Sequence, residues 1–283
     1  MNRASRPPSF VFSVLILAAV CGTQSYAVEP DAAKPSGWRR TGEFVAAEAK
    51  QAAAADEKFV YVVTNDKVVK YDRDGKRWGE SSGAANHLNS AFFADGFVYC
   101  AHSNYPQKPE RSEIRVLDPH SMRLGVFHDF GNYGGSLTWA VKRDDAWWCC
   151  FAHYGDENRR TFLARFDMEW KETGRWTFPA EALERIGKMS FSGGIWRGDA
   201  LLVSDHDHPR LYELRVPTSG DVLEFVCEHE AELTGQGFAA DPATGRLIGI
   251  DRAKKLVVFL KQDGSRDGEA QSTRSANRRR GTR

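Results

Sequence analysis

One short pattern recurs five times along the chain, each time as an apolar run that ends in a polar side chain. Such runs, bounded by Asn, Asp and Gly, are typical of β-strands. The three clearest copies cover residues 97–102, 148–153 and 201–206, and two weaker copies cover residues 60–65 and 247–252. In a gapless alignment, the last position holds Asn65, His102, His153, His206 and Arg252. The chain is therefore expected to repeat one strand-based unit.

The spacing of the copies predicts the kind of repeat. Each copy is the second strand of a group of four, and these second strands begin at Phe59, Phe97, Trp147, Leu201 and Leu247. Successive starts are 38, 50, 54 and 46 residues apart. Four-strand repeats of this period are typical of the blades of a β-propeller. The eight Trp and seventeen Phe also favour an all-β fold.

Four complete units and one incomplete unit are predicted. The first unit has strands at 51–55, 59–64, 68–72 and 77–81, and the second at 88–94, 97–102, 113–117 and 124–130. The third has strands at 136–142, 147–153, 162–166 and 172–178, followed by a helical turn at 180–186. The fourth has strands at 191–196, 201–205, 211–216 and 222–228. The fifth has strands at 237–240, 246–250 and 256–261, and then stops one strand short.

A lone strand at residues 38–46 supplies the strand that the fifth unit lacks. Placed there, it joins the two ends of the domain and removes the exposed edges that an open ring would have. The prediction is an all-β, five-bladed β-propeller over residues 38–262, closed by the N-terminal strand that completes the last blade. The chain leaves no room for a sixth blade.

The N-terminal segment is predicted to serve export. Residues 1–27 have the pattern of a signal peptide, because Arg3 and Arg6 precede an apolar stretch at 10–20, and the small residues Ser25 and Ala27 suit a cleavage site. An uncleaved anchor is the alternative, although this stretch is too short to span a bilayer. We expect a secreted or periplasmic protein that has no stable membrane span after processing.

Composition limits the partners and leaves the cysteines open. Residues 28–37 are expected to form a polar linker, and residues 263–283 a disordered basic tail. The net charge of +1 gives no global field for nucleic acid, so no nucleic-acid partner is expected, and a monomer is predicted. The chain has five cysteines, of which Cys21 leaves with the predicted signal peptide. The remaining four are too few for a disulfide framework, and a bridge between Cys100 and Cys149 of neighbouring blades is one option. These cysteines are Cys100, Cys149, Cys150 and Cys227.

One face of the ring is predicted to carry the site. The second strand of each blade runs antiparallel to the first, so second-strand ends and first-strand starts share a face. That face should collect polar side chains from several blades, which is how such rings form a binding site. The predicted ligand-binding residues are Gln51, Asn65, His87, Asn89, His102, Ser136, Asp207, Gln236, Asp251 and Arg252.

Histidines give this face its candidate chemistry. A general base at His206, oriented by Asp205 and assisted by His153 or His102 as the acid, would support hydrolase or lyase chemistry. Strand alternation puts Asp205 and His206 on opposite faces, so Asp207 is an alternative partner. His102, His153 and His206 are also candidate ligands of a divalent metal such as zinc or iron. Hydrogen bonding between blades, without any ligand, is a third interpretation.

Two stretches carry a resemblance to a known family. One is Leu233-Thr234-Gly235-Gln236-Gly237-Phe238, and the other runs from Gly194-Ile195-Trp196 through Ser204-Asp205 to Leu211-Tyr212. They resemble a Thr-Gln-Gly-type stretch and a later blade of the glutamine cyclotransferase group, which consists of exported five-bladed propellers. The resemblance implies cyclisation of an N-terminal glutamine. The acidic residue that the family would place near the Gln-Gly stretch is missing here, and the blade order differs.

The leading hypothesis is an exported propeller that binds a small polar or carbohydrate-like ligand in a histidine-lined pocket at the channel mouth. Hydrolase or lyase activity would be an extension of this binding function. A glutaminyl cyclotransferase-like enzyme and a non-catalytic protein-interaction scaffold are the two alternatives. The cofactor is left open, with a divalent metal as the one candidate.

Overall fold

A computed structural model describes residues 37–264 of the chain. The predicted signal peptide at 1–27 lies outside these residues, as do the linker before Gly37 and the basic tail after Gly264. Within the described part, none of the helices has the length and apolar character needed to cross a membrane.

The chain forms five antiparallel sheets of four strands each, which confirms the predicted fold. After β1 (Trp38–Val45), blade 1 contains β2 (Ala52–Ala55), β3 (Phe59–Val63), β4 (Val68–Asp72) and β5 (Arg77–Glu80). Blade 2 contains β6 (Leu88–Ala94), β7 (Phe97–Ser103), β8 (Ser112–Asp118) and β9 (Arg123–Gly131). Blade 3 contains β10 (Ser136–Arg143), β11 (Ala146–Ala152), β12 (Phe162–Phe166) and β13 (Glu172–Thr177). Blade 4 contains β14 (Phe191–Arg197), β15 (Ala200–Asp205), β16 (Arg210–Arg215) and β17 (Glu224–Glu230).

Blade 5 closes the ring with strands from both ends of the domain. Its strand order is β1-β20-β19-β18, with β1 on the outer edge. The register of β1 against β20 runs from Trp38 opposite Gln262 to Val45 opposite Leu256. Because the first strand of the domain hydrogen-bonds along its length to the last one, the ring of blades is closed. The strands of this blade are β1 (Trp38–Val45), β18 (Ala239–Ala240), β19 (Leu247–Asp251) and β20 (Leu256–Gln262).

Most predicted strand boundaries differ from the observed ones by one or two residues. The largest strand differences are at β17, which is displaced by two residues at both ends, and at β18, which is only Ala239–Ala240 because the residues before it bond to other blades. The Gly237 N–H donates to the Gln51 carbonyl (2.9 Å), and the Gln236 carbonyl accepts from Ser204 Oγ (2.9 Å). The predicted helical turn is α1 (Ala180–Leu183), and a 3₁₀ turn at Gly155–Arg160 was not predicted.

The innermost strand of blade 1 consists of small residues, and larger side chains pack between the blades. All four residues of the inner strand β2 are alanines and are at most 1% exposed. Larger side chains fill the wider spaces between blades, where Trp139 and Trp147 are also at most 1% exposed. Gly194 on β14 allows this packing, because an added Cβ would lie 2.7 Å from the Trp139 ring. Small residues on the innermost strands of blades 1 and 4 therefore leave room for large side chains of the neighbouring blades.

All four cysteines of the described part are free, so the optional bridge between Cys100 and Cys149 does not form. Cys100, Cys149 and Cys150 are fully buried among apolar side chains, where a thiol packs as a small hydrophobe. Burial raises the pKa of the Cys100 thiol to about 12. These three thiols are therefore packing groups rather than reactive ones.

Candidate functional site

A cavity of about 340 Å³ lies at one mouth of the channel. It has an opening to solvent, and side chains from all five blades line it. Seven of the sequence-predicted residues are among them: Gln51, Asn65, His87, Asn89, His206, Gln236 and Arg252. The remaining lining residues are Lys50, Tyr105, Thr138, Tyr154, Met189, Ser190 and Ser192.

The Thr-Gly-Gln-Gly-Phe stretch of blade 5 positions Gln236 at this cavity. Gly235 lies directly against the loop after β15, and an added Cβ would be 1.7 Å from the Asp205 carbonyl oxygen. Gly237 lies equally close to blade 2, and its added Cβ would be 2.7 Å from Ser90 Cα. Glycine at both positions lets the backbone pass between neighbouring blades. Gln236 is 4% exposed and turns its side chain to the cavity.

Amide side chains form one wall of the cavity. Gln51 Nε2 donates to Asn65 Oδ1 (2.5 Å), which fixes both amides within blade 1. Asn89 Nδ2 donates to the Leu137 carbonyl (2.8 Å) and so ties blade 2 to blade 3. Within residues 37–264, the side-chain amide of Gln236 makes no hydrogen bond to protein. This wall therefore offers both donors and acceptors to a polar ligand.

Two cations line the cavity, whereas two carboxylates close to it, Asp66 near Lys50 and Asp207 beside His206, lie outside its lining. Within the described residues, neither Lys50 Nζ nor the Arg252 guanidinium forms an ion pair or a hydrogen bond, and no Asp or Glu lines the cavity. Burial, and then the positive charge of Lys50, lower the pKa of His87, so this imidazole is neutral at neutral pH. The cavity therefore has a positive electrostatic potential that favours an anion.

His206 and Asp207 form a hydrogen-bonded pair at the cavity. His206 Nδ1 lies 2.8 Å from Asp207 Oδ1, and the Met189 N–H donates to Asp207 Oδ2 (3.0 Å). Burial opposes the charge on Asp207, but the hydrogen bonds from Met189 and His206 outweigh it and hold the pKa of the carboxyl below its ordinary value. The pairing leaves His206 Nε2 for a ligand or for proton transfer.

Asp205 has a different environment from its neighbours and does not reach the cavity. It is 0% exposed, and its carboxylate accepts from the Asp207 N–H (2.8 Å) and from the Tyr212 hydroxyl (3.1 Å). Its Oδ2 also lies 2.8 Å from His208 Nδ1. The prediction of Asp205 as the partner of His206 is thus corrected in favour of Asp207, because strand alternation turns Asp205 into the blade.

Aromatic rings form the opposite wall of the cavity. The Tyr105 and Tyr154 rings meet edge to face with centroids 4.8 Å apart, and the His87 ring lies 5.5 Å from Tyr105. Burial raises the pKa of the Tyr154 hydroxyl, which hydrogen-bonds to Ser136. Ser136 therefore lies behind Tyr154 instead of lining the cavity. Both tyrosines also line a second, more open cavity on their other side.

The predicted rim of three histidines is not formed. His102 lies in a separate cleft beside Asn86 and Glu113, with its Nε2 2.6 Å from Asn86 Oδ1. Its Nδ1 lies 3.2 Å from Glu113, but Arg115 binds that carboxylate at 2.6 Å and offsets its charge. Burial, followed by Arg115, lowers the pKa of His102 to about 4.

His153 lies in the second cavity, beyond Tyr154. Burial and the nearby Arg160 lower its pKa, and its backbone N–H donates to Thr161 Oγ1 (3.0 Å). Only His206 of the three candidate metal ligands therefore lines the central cavity, and the structure does not assemble a metal site from His102, His153 and His206. His153 is likewise not beside His206 as its acid partner.

Strand register explains the misplaced histidine of blade 2. The first residues of β6, β10 and β14 pair with His102, Ala152 and Asp205, respectively. The gapless alignment of the copies was therefore off by one residue, and His102 corresponds to Asp205 rather than to His206. A shift of one residue turns a side chain to the other face of a strand.

Asp251 also lies outside the cavity. Its carboxylate pairs with Arg40 (3.2 Å) and accepts from the Lys254 N–H (3.1 Å), so it stabilises blade 5. Thr138 and Ser192 lie on β10 and β14, and the other cavity residues that the sequence did not predict lie in loops next to predicted ones. Lys50 precedes Gln51, Tyr154 follows His153, and Met189 lies just before β14. A search one or two residues beyond each strand end would have found them.

No protein-family model matches the sequence, and no curated protein matches it. Among solved structures, the chain is similar to a glutaminyl cyclase from Myxococcus xanthus, with 9% identity and a TM-score of 0.55. The match covers 81% of this chain and 99% of that chain. The chain is also similar to the WD40 β-propeller domain of Doa1, with 10% identity, a TM-score of 0.45, and coverage of 82% of this chain and 99% of that one. At 9% identity the likeness to the glutaminyl cyclase shows the fold alone. The protein has a five-bladed propeller fold, and its weak resemblance to the cyclase group is confirmed at that level.

Proposed function

We propose that the protein binds a small polar ligand that carries a carboxylate or a similar anionic group, in the cavity at the channel mouth. The observation that carries this proposal is the pair of cations at the cavity, Lys50 and Arg252, together with the lack of any Asp or Glu among its lining residues. In a partly desolvated site, the electrostatic attraction between an anion and two such cations is stronger than it is in water.

The rest of the cavity suits the uncharged part of such a ligand. Its volume of about 340 Å³ lies within the range of small-molecule sites. The amides of Gln51, Asn65 and Gln236 provide donors and acceptors, and the Tyr105 and Tyr154 rings provide an apolar face. A hydroxylated acid of sugar size would match both walls.

A catalytic extension would use the His206–Asp207 pair. Asp207 orients the imidazole and would stabilise its protonated form, while Nε2 would take a proton from the bound ligand. This is the arrangement of a general base, and it would support hydrolase or lyase chemistry. The protonated His206 would itself return the proton, because His153 lies in the second cavity.

Cyclisation of an N-terminal glutamine is the second candidate function. It is supported by the Thr-Gly-Gln-Gly stretch and by the similarity of the fold to the Myxococcus xanthus glutaminyl cyclase. Glutaminyl peptides are incubated with the protein, and pyroglutamyl products are measured by mass spectrometry. Turnover that is lost in His206→Gln would favour this function, and no turnover would leave the anion-binding function as the better one.

We also propose that the protein acts outside the cytoplasm. The signal-peptide pattern of residues 1–27 supports export, with the mature chain starting near Val28. Mass spectrometry of the N-terminus in the extracytoplasmic fraction tests this. A cytoplasmic chain that retains Met1 would contradict it.

Thermal-shift measurements on the mature chain test the ligand class. The panel contains matched charged and neutral pairs, such as glucuronate with glucose and glutamate with glutamine, together with citrate and phosphate. A ligand that binds the folded form raises the melting temperature. We expect a shift with at least one carboxylate and none with its neutral partner. A shift with the neutral compounds alone would contradict the proposed anion preference.

A further inference from the structure

Three potential metal ligands lie close together on the outer half of blade 4. Glu213 comes from β16, and Cys227 and His229 come from β17. Glu213 and Cys227 are directly opposite in the register of the two strands, and His229 is two residues further along β17. Because side chains two residues apart point to the same face of a strand, all three share one face of the sheet.

The distances within this cluster are short. Glu213 Oε2 lies 3.2 Å from His229 Nε2, Cys227 Sγ lies 3.4 Å from the same nitrogen, and the three ligand atoms all lie within 4.8 Å of one another. A ring nitrogen carries at most one hydrogen, so it cannot donate a full hydrogen bond to both the carboxylate and the sulfur. The His229 side chain is 4% exposed and the Glu213 side chain 21% exposed, so solvent reaches the cluster from the Glu213 side.

We propose that Glu213, Cys227 and His229 bind a zinc ion. Bonds of about 2.0–2.3 Å to nitrogen, oxygen and sulfur in a tetrahedral arrangement place neighbouring ligand atoms about 3.3–3.6 Å apart. The two measured distances to His229 Nε2 match this spacing to within about 0.2 Å. Thiolate and imidazole favour zinc over magnesium or calcium, which prefer sites made of oxygen ligands alone.

The ion would reach the site from a cleft between blades 4 and 5. Glu213 lines this cleft, which has a volume of about 330 Å³ and is bordered by Trp38, Leu202 and Gln262. Zinc would take the Glu213 carboxylate, the Nε2 lone pair and the Cys227 thiolate, with the thiol proton released to solvent. A water from the cleft would complete four-coordination.

The zinc site is independent of the anion-binding cavity. The two sites share no residue, and Glu213 lies on the third strand of blade 4 whereas the cavity is lined from its first two strands and their loops. Zinc would cross-link β16 and β17, the two outer strands of the blade. Its binding should therefore raise the stability of the fold without affecting ligand binding.

Cobalt(II) titration of the untagged, metal-free protein tests the site, because cobalt substitutes for zinc and its spectrum reports its ligands. We expect one equivalent to bind, with a thiolate-to-cobalt charge-transfer band that zinc then abolishes. Cys227→Ser should lose that band and weaken zinc binding more than about tenfold. Glu213→Gln should weaken it while leaving the circular dichroism spectrum of the fold unchanged.

Glu230→Gln is the matched control, because Glu230 lies on β17 but points to the other face and has a side-chain exposure of 76%. This variant should bind cobalt and zinc like the wild type. A wild-type cobalt spectrum without a charge-transfer band would overturn the proposal. Equal zinc affinity in the wild type, Cys227→Ser and Glu213→Gln would also overturn it, and would leave the cluster as an ordinary hydrogen-bonded group.

Discussion

Asp205 and His206 are neighbours in the sequence but have different roles: Asp205 stabilises the fold, and His206 lines the binding cavity. Asp205 is fully buried, and its carboxylate joins the Tyr212 hydroxyl, the His208 ring and the loop backbone. His206 lines the cavity, and among residues 37–264 its ring hydrogen-bonds to protein through Nδ1 only. Substitutions at the two positions should therefore have different effects on stability and on ligand binding.

Replacing Asp205 should mainly affect stability. Asp205→Ala leaves a buried hydroxyl and two loop N–H groups without their acceptor, and should lower the free energy of unfolding by about 2 kcal/mol or more. His206→Gln should change it by less than about 1 kcal/mol, while abolishing turnover or weakening binding of the anion found by thermal shift. Urea unfolding and calorimetry measure the two effects. A large stability loss in His206→Gln would instead make His206 a packing residue.

His102 should make the fold sensitive to acid. Its pKa is about 4 in the folded state against 6.5 for an unperturbed histidine. Between these two pH values the unfolded chain therefore binds more protons than the folded chain does. The stabilising effect is complete above about pH 6.5 and is lost as the pH falls towards 4, by an amount on the order of 3 kcal/mol. His102→Gln should flatten this pH dependence.

Urea unfolding at several pH values between about 7 and 4 measures this difference. His87, His128 and His153 also have lowered pKa values and remain in both proteins, so only the difference between the two curves belongs to His102. Parallel curves would show that burial of this imidazole does not control its protonation.

Strand β1 determines whether the ring is closed. Trp38 at its start is 2% exposed and packs against Ile195 and Leu202 of blade 4, and its backbone bridges to Ala231. The same strand therefore completes blade 5 and seals it against blade 4. Most of the stabilisation from the contact between blades 4 and 5 should therefore come from the Trp38 side chain.

Trp38→Ala should lower the free energy of unfolding by about 3–5 kcal/mol, as for other buried aromatic truncations. Trp78→Ala is the matched control, because Trp78 is 61% exposed on the outer strand β5 and should cost about 1 kcal/mol or less. Denaturant unfolding measures both. Equal losses in the two variants would mean that the closing strand does not carry the stability assigned to it.

Gly235 is the point where blade 5 supports the His206 loop. Because an added Cβ would overlap the Asp205 carbonyl at 1.7 Å, Gly235→Ala must shift the backbone on one side or the other. We expect a loss of about 2 kcal/mol or more and weaker anion binding. Gly79→Ala has open space around it and should be neutral within about 1 kcal/mol. Wild-type behaviour in both variants would contradict this contact.

The elements were predictable because their signals are local. Apolar runs, Asp-Gly turns and a steady period define the strands and the blade number, and the missing strand of the last unit identifies β1 as its partner. The cavity was predictable only in part, because its shape depends on register and on loops. The gapless alignment shifted His102 by one residue, and neither Lys50 nor Tyr154 belongs to a strand that a pattern could place.

At the scale of the whole molecule, the net charge is only +1, although the electrostatic potential in the cavity is positive. Acidic and basic side chains balance over the chain, yet Lys50 and Arg252 face a cavity that has no acidic lining residue. A ring of five blades makes this possible, since each blade contributes one or more polar groups to the mouth while its core stays apolar. Anion binding should therefore weaken with added salt, because salt screens exposed charges.

Calorimetric titration of the best carboxylate from the panel tests the account most directly. It is performed with the wild type, with the double variant Lys50→Gln/Arg252→Gln, and with His102→Gln as a control outside the cavity. The account predicts one site per chain in the wild type and the control, and a loss of affinity of at least about 100-fold in the double variant, as expected when two charge-assisted contacts are removed. Equal affinity in all three proteins would contradict it.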